Sequence, residues 1–386
     1  MSTRAVLWVS LCVGCSSSTS PAEPTDVGVE AEAEVPKIKA PTGDPLTWAV
    51  DKAGPYNVGH RSFDVTYRPP GQTADRTIPV DVFYPTLDAE GEHPKYLKLF
   101  GDPDVYEEAS VAPPPTSAGY PVHVYSHGSN GFGGTSADMA HWFGSHGWVY
   151  VAPNHVGNVL GAGEGKRPVS LYYLRSTDVT AALDAVEKLA APDPLAGKLR
   201  TKRVLMSGHS YGTFTTWASA GAQFDVKAIQ AKCDKGEFTA PCKPEELAVF
   251  AKGVADPRIV AGIPMAGGAS DWFVAGAYDQ PAKPMLLMSG SLDVSGSEIF
   301  GKVTTLDLTW IDFEGGCHQL FALGGCSGFD EKSGWALTNT WAFAFGRRHV
   351  LGDASARTTA IVTGTESLDP RIKFQHKGPT TAPSGS

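Results

Sequence analysis

The chain has 386 residues, of which 42% are hydrophobic and 10% aromatic, so it can bury a large core as one sizeable domain or two small ones. Its formal charge of −9, with no block of basic residues, argues against a nucleic-acid partner and favours solubility.

The chain opens on Arg4 and the apolar run Ala5–Val13, too short to span a bilayer. Leu11-Cys12-Val13-Gly14-Cys15 and then Ser16, Ser17 and Ser18 follow. This resembles a bacterial lipoprotein signal, which implies removal of residues 1–14, lipidation of Cys15 and, through Ser16, sorting to the outer membrane. Cys12 stands where that pattern usually has leucine, and secretion without an anchor is the alternative. Either route exports the chain into an oxidising compartment. Residues 15–45, rich in Ser, Thr, Pro, Glu and Ala, read as a flexible tether.

A folded domain is expected over residues 46–352. Arg61–Tyr67 and Thr77–Tyr84 alternate apolar and polar residues around Pro69, Pro70 and Gly71 and predict two antiparallel strands. Asp88–Ser117 reads as a loop-rich excursion. The pattern then alternates: strand Pro121–Tyr125, loop His127–Gly134, helix Thr135–His146, strand Trp148–Ala152. Val179, Leu183, Val186 and Leu189 share one face of a predicted helix over Ser176–Leu189. A strand from Val204 leads into a helix over Thr213–Ala222, and an insertion spans about residues 220–256. Arg258–Pro264, Pro284–Met288 and Thr305–Phe313 predict further strands, and Gly334–His349 a closing helix. Residues 353–386, polar and rich in Pro, Gly and Thr, read as a partly ordered tail. This order implies an α/β fold with a mainly parallel central sheet covered by helices on both faces.

Outside the leader are four cysteines, Cys233, Cys242, Cys317 and Cys326, which allow three pairings. Pairing nearest neighbours, Cys233–Cys242 and Cys317–Cys326, closes two short loops and fixes local geometry. Metal binding is the alternative, and no C-x-x-C spacing outside the leader supports it.

The chemistry centres on Val204-Leu205-Met206-Ser207-Gly208-His209-Ser210-Tyr211-Gly212, an apolar strand running into a G-x-S-x-G turn and a helix. A serine hydroxyl is a weak nucleophile and must be presented to a base. A sharp strand-to-helix turn does this, and glycines at 208 and 212 leave room for the close backbone approach. Ser210 is the candidate nucleophile, and the Tyr211 N–H is a candidate oxyanion donor. With 43 glycines in the chain, chance yields roughly a third of such a pentapeptide, so the surroundings carry the reading.

In the chain order nucleophile, acid, base, the base follows the last strand. His318, in Glu314–Gln319, is the only histidine between Ser210 and His349. The acid follows an earlier strand: Asp293 after Met285–Gly290 is the first candidate, and Asp271 in Gly267–Trp272 the alternative. The second oxyanion donor is expected from the N–H of Ser129, with Gly128 the next choice. His127 and His209 read as packing residues. Phe132, Trp272, Phe273 and Phe321 lie near these loops and either line an acyl pocket or pack.

Gly54-Pro55-Tyr56-x-Val58-Gly59, Val124–Gly128, Ala152-Pro153-Asn154-His155-x-Gly157-Asn158, Arg167-Pro168, Gly208–Gly212 and Cys233 occur in that order. Over about residues 54–350 the chain is similar to the bacterial α/β-hydrolases grouped as predicted dienelactone hydrolases. Through them it resembles platelet-activating-factor acetylhydrolases and, more distantly, cutinase-like polyester hydrolases. Thr213 departs from a pattern that often has glycine there. The resemblance implies the α/β-hydrolase fold, a Ser210–Asp293–His318 triad with Ser129 and Tyr211 as oxyanion donors, and hydrolysis of carboxylic esters through an acyl-enzyme. Short-to-medium acyl chains are the default; an acetylated phospholipid or a polyester are alternatives, and a surface lipoprotein using the fold for binding is the non-enzymatic one. No cofactor or metal is expected. The expected partners are a small ester or lipid substrate and a membrane only through the lipid anchor, with the chain a monomer.

Overall fold

The computed structural model describes residues 35–163, 165–322, 324–380 and 382. The expected signal and Cys15 lie outside them. Its strands are β1 (Asn57–Tyr67), β2 (Arg76–Thr86), β3 (Lys95–Tyr96), β4 (Phe100–Gly101), β5 (Val105–Glu107), β6 (Tyr120–Ser126), β7 (Val149–Pro153), β8 (Leu199–His209), β9 (Ile259–Met265), β10 (Met285–Gly290), β11 (Leu308–Phe313) and β12 (Ile372–Lys377). Its α-helices are α1 (Ala137–Ser145), α2 (Leu171–Glu187), α3 (Tyr211–Ala220), α4 (Val226–Asp234), α5 (Pro244–Lys252), α6 (Ser297–Lys302), α7 (Glu331–Leu351) and α8 (Ala356–Val362).

Ten strands form one sheet in the order β12-β11-β10-β9-β8-β6-β7-β2-β1-β5. Strands β6 to β11 run parallel, and β2 joins β7 antiparallel, as the alternating pattern requires. The period of two assigns residues to faces. On β8, Val204 and Met206 enter one apolar cluster with Val179 and Leu183 of α2, while Leu205 enters the opposite one with Phe143 of α1 and Phe343 of α7. Helix α7 crosses close to β8: a Cβ on Gly346 would lie 2.9 Å from Leu205 Cδ2. Asp330 caps the start of α7 by accepting the Ser333 N–H at 3.0 Å, and Gly352 ends it with φ +73°. Two disulfides, Cys233–Cys242 and Cys317–Cys326, pair nearest neighbours as expected.

Several expected boundaries are corrected. Helix α2 starts at Leu171, five residues before the expected Ser176, because Pro168 and Ser170 already open the turn: Leu171 and Tyr173 donate N–H bonds to their carbonyls. The excursion after Asp88 contains β3, β4 and β5. The tether does not reach residue 45: Ile38 N–H donates to Leu87 at 2.7 Å, and Arg347 on α7 donates to the Trp48 carbonyl at 2.7 Å and to that of Leu46. The tail expected from Asp353 forms α8 and then β12, which pairs antiparallel with β11 from Phe313↔Ile372 to Leu308↔Lys377. Ile372 and Phe374 alternate with exposed residues, and Phe374 stacks on Trp341 at 5.8 Å. The described residues from Val35 onward therefore form one compact unit.

Candidate active site

Strands β6 and β8 are neighbours whose chain connections diverge, since β6 leads to β7 on one side and β8 to β9 on the other. Such a switch point opens a crevice at the carboxyl ends of the strands. Ser210 follows β8 there, and the loop Ser126–Gly131 follows β6. Ser210 has φ +56° and ψ −114°, a conformation that costs a non-glycine residue ~1–3 kcal/mol and persists only when its surroundings enforce it. They do: Ser210 N–H donates to Met265 at 2.9 Å. A Cβ on Gly208 would lie 2.2 Å from the Gly212 carbonyl oxygen, and one on Gly212 only 1.9 Å from that of Ser126. Thr213 donates from Oγ1 to the Met265 carbonyl at 2.6 Å and packs where a Cβ on Gly267 would stand, so Gly267 makes room for it.

Tyr211 is the first residue of α3, where N–H groups have no intrahelical partner. Gly128 lies against Ser210: a Cβ there would be 3.2 Å from Ser210 Cβ. Ser129 is exposed, and its Oγ accepts from Asn158 Nδ2 at 2.9 Å.

The acid and base candidates meet across two loops. His318 Nδ1 and Asp293 Oδ2 are 2.7 Å apart. Parallel pairing of β10 with β11 aligns the loops, and Ser291 N–H to Phe313, Leu292 N–H to Gly316 and Gly315 N–H to Ser291 Oγ close them together at 2.9–3.0 Å. The Cys317–Cys326 bridge adjoins His318 directly. Asp271 points elsewhere: it is 72% exposed and pairs with Lys232 at 2.8 Å, whereas Asp293 is 11% exposed. His209 links nucleophile and base loops, its Nε2–H donating to the His318 carbonyl at 2.9 Å with the rings 4.6 Å apart. Burial holds the His209 pKa down at about 4, so the ring is neutral.

Behind the β6 loop lies a polar network that the sequence reading does not contain. Arg175 on α2, fully buried, donates from Nε to Thr215 Oγ1 (3.0 Å), from Nη1 to Asn158 Oδ1 (2.6 Å), and from Nη2 to Ser126 Oγ (3.0 Å) and the His127 carbonyl. Its guanidinium lies 4.5 Å from the Tyr211 ring centroid. Burial lowers its pKa to about 10, which leaves it charged at neutral pH. Ser126 Oγ donates onward to His155 Nε2 at 2.9 Å, and His155 Nδ1–H to Asp178 at 3.0 Å. Desolvation holds the His155 pKa well below its usual value, consistent with a neutral ring in that relay. Asp178 also accepts two bonds from Arg76, at 2.7 and 2.8 Å, and one from Tyr67 at 2.6 Å. His127 is buried and neutral, accepting the His155 N–H on Nε2 at 3.0 Å.

The four aromatics proposed for an acyl pocket divide. Trp272 and Phe273 pack into a cluster with Tyr172, Phe214, Phe224 and Phe250; Tyr172 stacks on Trp272 at 3.6 Å. Phe321 lines a cavity of 180 Å³ with Leu320, Met139 and Trp335, and Phe132 an adjoining one of 220 Å³ with Tyr96, Phe100 and Trp335. Among the described residues no group of three or more His, Cys, Asp or Glu side chains is arranged to hold a metal ion, and no helix is long and apolar enough to cross a membrane.

No family model and no curated protein matches the chain. Among solved structures, a ferulic acid esterase from Streptomyces cinnamoneus superposes with a TM-score of 0.57 at 17% identity, covering 83% of this chain and 96% of its own. At that identity the likeness speaks to the fold, and with the sheet order above it establishes the α/β-hydrolase fold.

Proposed function

We propose that the chain is a serine hydrolase of carboxylic esters. The observations that carry this reading are the strained Ser210 at the β8–α3 turn and the paired Asp293 and His318, linked to that turn by the hydrogen bond from His209, the residue before Ser210, to the His318 carbonyl. In the proposed mechanism Ser210 Oγ attacks the ester carbonyl while His318 takes its proton. The N–H groups of Ser129 and Tyr211 stabilise the tetrahedral oxyanion. Asp293 fixes the His318 tautomer and stabilises the imidazolium. His318 then protonates the leaving alcohol and activates the water that releases the acid. Asp271, engaged with Lys232 at the surface, has no part in it.

Short-to-medium acyl esters are the proposed substrates, with the cavities beside Phe132 and Phe321 as candidate acyl sites. A phospholipid deacetylase of the platelet-activating-factor acetylhydrolase type, or a polyester hydrolase, is the narrower form suggested by resemblance to the predicted dienelactone hydrolase group. The two disulfides are compatible with export, and we propose an outer-membrane lipoprotein anchored through Cys15, acting as a monomer. The test is turnover of p-nitrophenyl esters from acetate to palmitate, with methyl ferulate added because the structural neighbour is a ferulic acid esterase, beside Ser210→Ala. Turnover abolished in the variant supports the reading. A folded protein that neither hydrolyses these esters nor takes a fluorophosphonate label favours a binding role for the fold.

A further inference from the structure

We infer that Arg175 is a positioning residue that locks both candidate oxyanion donors into one frame. The inference rests on the serine hydrolase reading above.

One planar group reaches both donors. Arg175 touches α3 twice, through Thr215 Oγ1 at 3.0 Å and through the face of the Tyr211 ring at 4.5 Å. Towards the other donor it holds the His127 carbonyl directly and Asn158 Oδ1 at 2.6 Å. Asn158 then grips Ser129 and Asn130 of that loop. Its Nδ2 donates to Ser129 Oγ at 2.9 Å, and its carbonyl accepts the Asn130 N–H at 3.0 Å. Asn130 has φ +55°, a left-handed conformation that needs such support. The peptide carrying the Ser129 N–H is thus fixed from both sides against Ser210.

The cost of the arrangement points the same way. Among the described residues, the hydrogen bonds of this buried cation all go to neutral oxygens. Asp178, one turn further along α2, is occupied by Arg76, Tyr67 and His155. A buried charge without a carboxylate partner carries a large desolvation penalty, and apolar packing would serve stability at least as well. Preorganised donors are where such rigidity matters, because they work by not moving as the oxyanion develops. A fixed positive charge behind the loop acts in the same sense. Lysine cannot replace it, since a compact ammonium lacks the planar fork whose three separate nitrogens reach Thr215, Asn158 and the Ser126–His127 pair while its face lies over the Tyr211 ring.

The test uses the full chain. Arg175→Lys is expected to lower kcat on p-nitrophenyl acetate by about 10²-fold, the loss typical of a displaced oxyanion donor, while KM changes less than about threefold. Affinity for a trifluoromethyl ketone, which forms a tetrahedral adduct with serine, falls in parallel, and so does the rate of fluorophosphonate labelling. A folded Arg175→Lys protein with wild-type kcat, or one whose kcat falls without loss of ketone affinity, overturns the inference. Should that variant not fold, Asn158→Ala cuts the relay to Ser129 and leaves the cation; about a tenfold loss in kcat and ketone affinity is expected, and wild-type values overturn it. Ser210→Ala separates the two levels. Residual turnover or labelling in that variant, or none in the wild type, refutes the hydrolase reading and the inference with it; a dead Ser210→Ala beside wild-type Arg175 and Asn158 variants refutes the inference alone.

Discussion

The two banks of the candidate site are built on opposite plans. The loop after β6 is backed from α2 and from the loop after β7: Arg175 holds the His127 carbonyl, the Asn158 carbonyl accepts the Asn130 N–H, and His155 holds the side chains of Ser126 and His127. The loops after β10 and β11 are tied to each other by main-chain bonds, a disulfide closes the second loop on itself, and the His318 side chain is 36% exposed. The proposed chemistry accounts for the difference. Oxyanion donors gain from a dry, immobile backing, where each dipole acts at low dielectric. A proton carrier must reach alcohol and water, so one side of its ring stays open.

Removing the nucleophile or the open bank's reacting groups should have the largest effect. Ser210→Ala and His318→Ala are each expected to lower kcat by ~10⁵–10⁶, and Asp293→Asn by ~10⁴, because the tautomer of His318 is then unset. Near-normal turnover in a folded Asp293→Asn protein would return the acid to the undecided state the sequence leaves it in.

Next comes the bridge that steadies that bank. Reducing Cys317–Cys326, or replacing both cysteines with serine, is expected to cost roughly ten- to a hundredfold in kcat before circular dichroism registers unfolding, since small misplacements of a reacting group are expensive. Losing Cys233–Cys242, which joins the α4 and α5 region, should leave kcat within about twofold. Turnover unchanged after verified reduction of Cys317–Cys326 would sink the clamp.

A third test probes rigidity away from the crevice. His60 joins β1 to β2 and β5 through Asp81 at 3.1 Å and Glu107 at 2.6 Å. Burial lowers its pKa, but the bonds to both carboxylates outweigh it and raise the value to about 9. The folded state therefore holds a proton that the unfolded chain releases near pH 6.5. The stabilisation is complete below that pH and is lost as pH rises through about 9, on the order of 1–3 kcal/mol. Urea midpoints of wild type and His60→Gln should converge between pH 6 and 9.5; a constant gap would show that His60 acts by packing alone. The smallest effect is expected from Asp271→Asn, within about twofold in kcat, because its surface pair with Lys232 is solvent-screened.

The nucleophile and the open bank were legible in the sequence; the buried network behind the β6 loop was not. Ser210, Asp293 and His318 each follow an apolar run and a glycine turn, so their signals are local, and the order of strands places them at one end of the sheet. Arg175 and Asp178 carry no such signal. On α2 they sit among residues whose apolar spacing suggests one buried face, yet α3 and the loops after β6 and β7 cover the polar side too. Their partners, Ser126, Asn158 and Thr215, come from three separate segments and meet only through tertiary packing. The C-terminal strand was missed for a different reason. Its alternation is a few residues long within a stretch of Pro, Gly and Thr, and what stabilises it is the β11 main chain.

That strand decides how the sheet meets other molecules. At one end the sheet finishes on β5, only three residues long. At the other, β11, with Leu308, Trp310, Ile311 and Phe313 buried, would offer a full row of unpaired N–H and C=O groups if it stood outermost. β12 takes that row and presents Lys373 and Lys377 in its place, the latter donating to the Phe300 carbonyl at 2.6 Å. Short or lysine-bearing outer strands are how soluble proteins avoid templating one another. A chain cut after Gly352, where composition suggests the folded part ends, would keep Ser210, Asp293 and His318 and still be prone to aggregate.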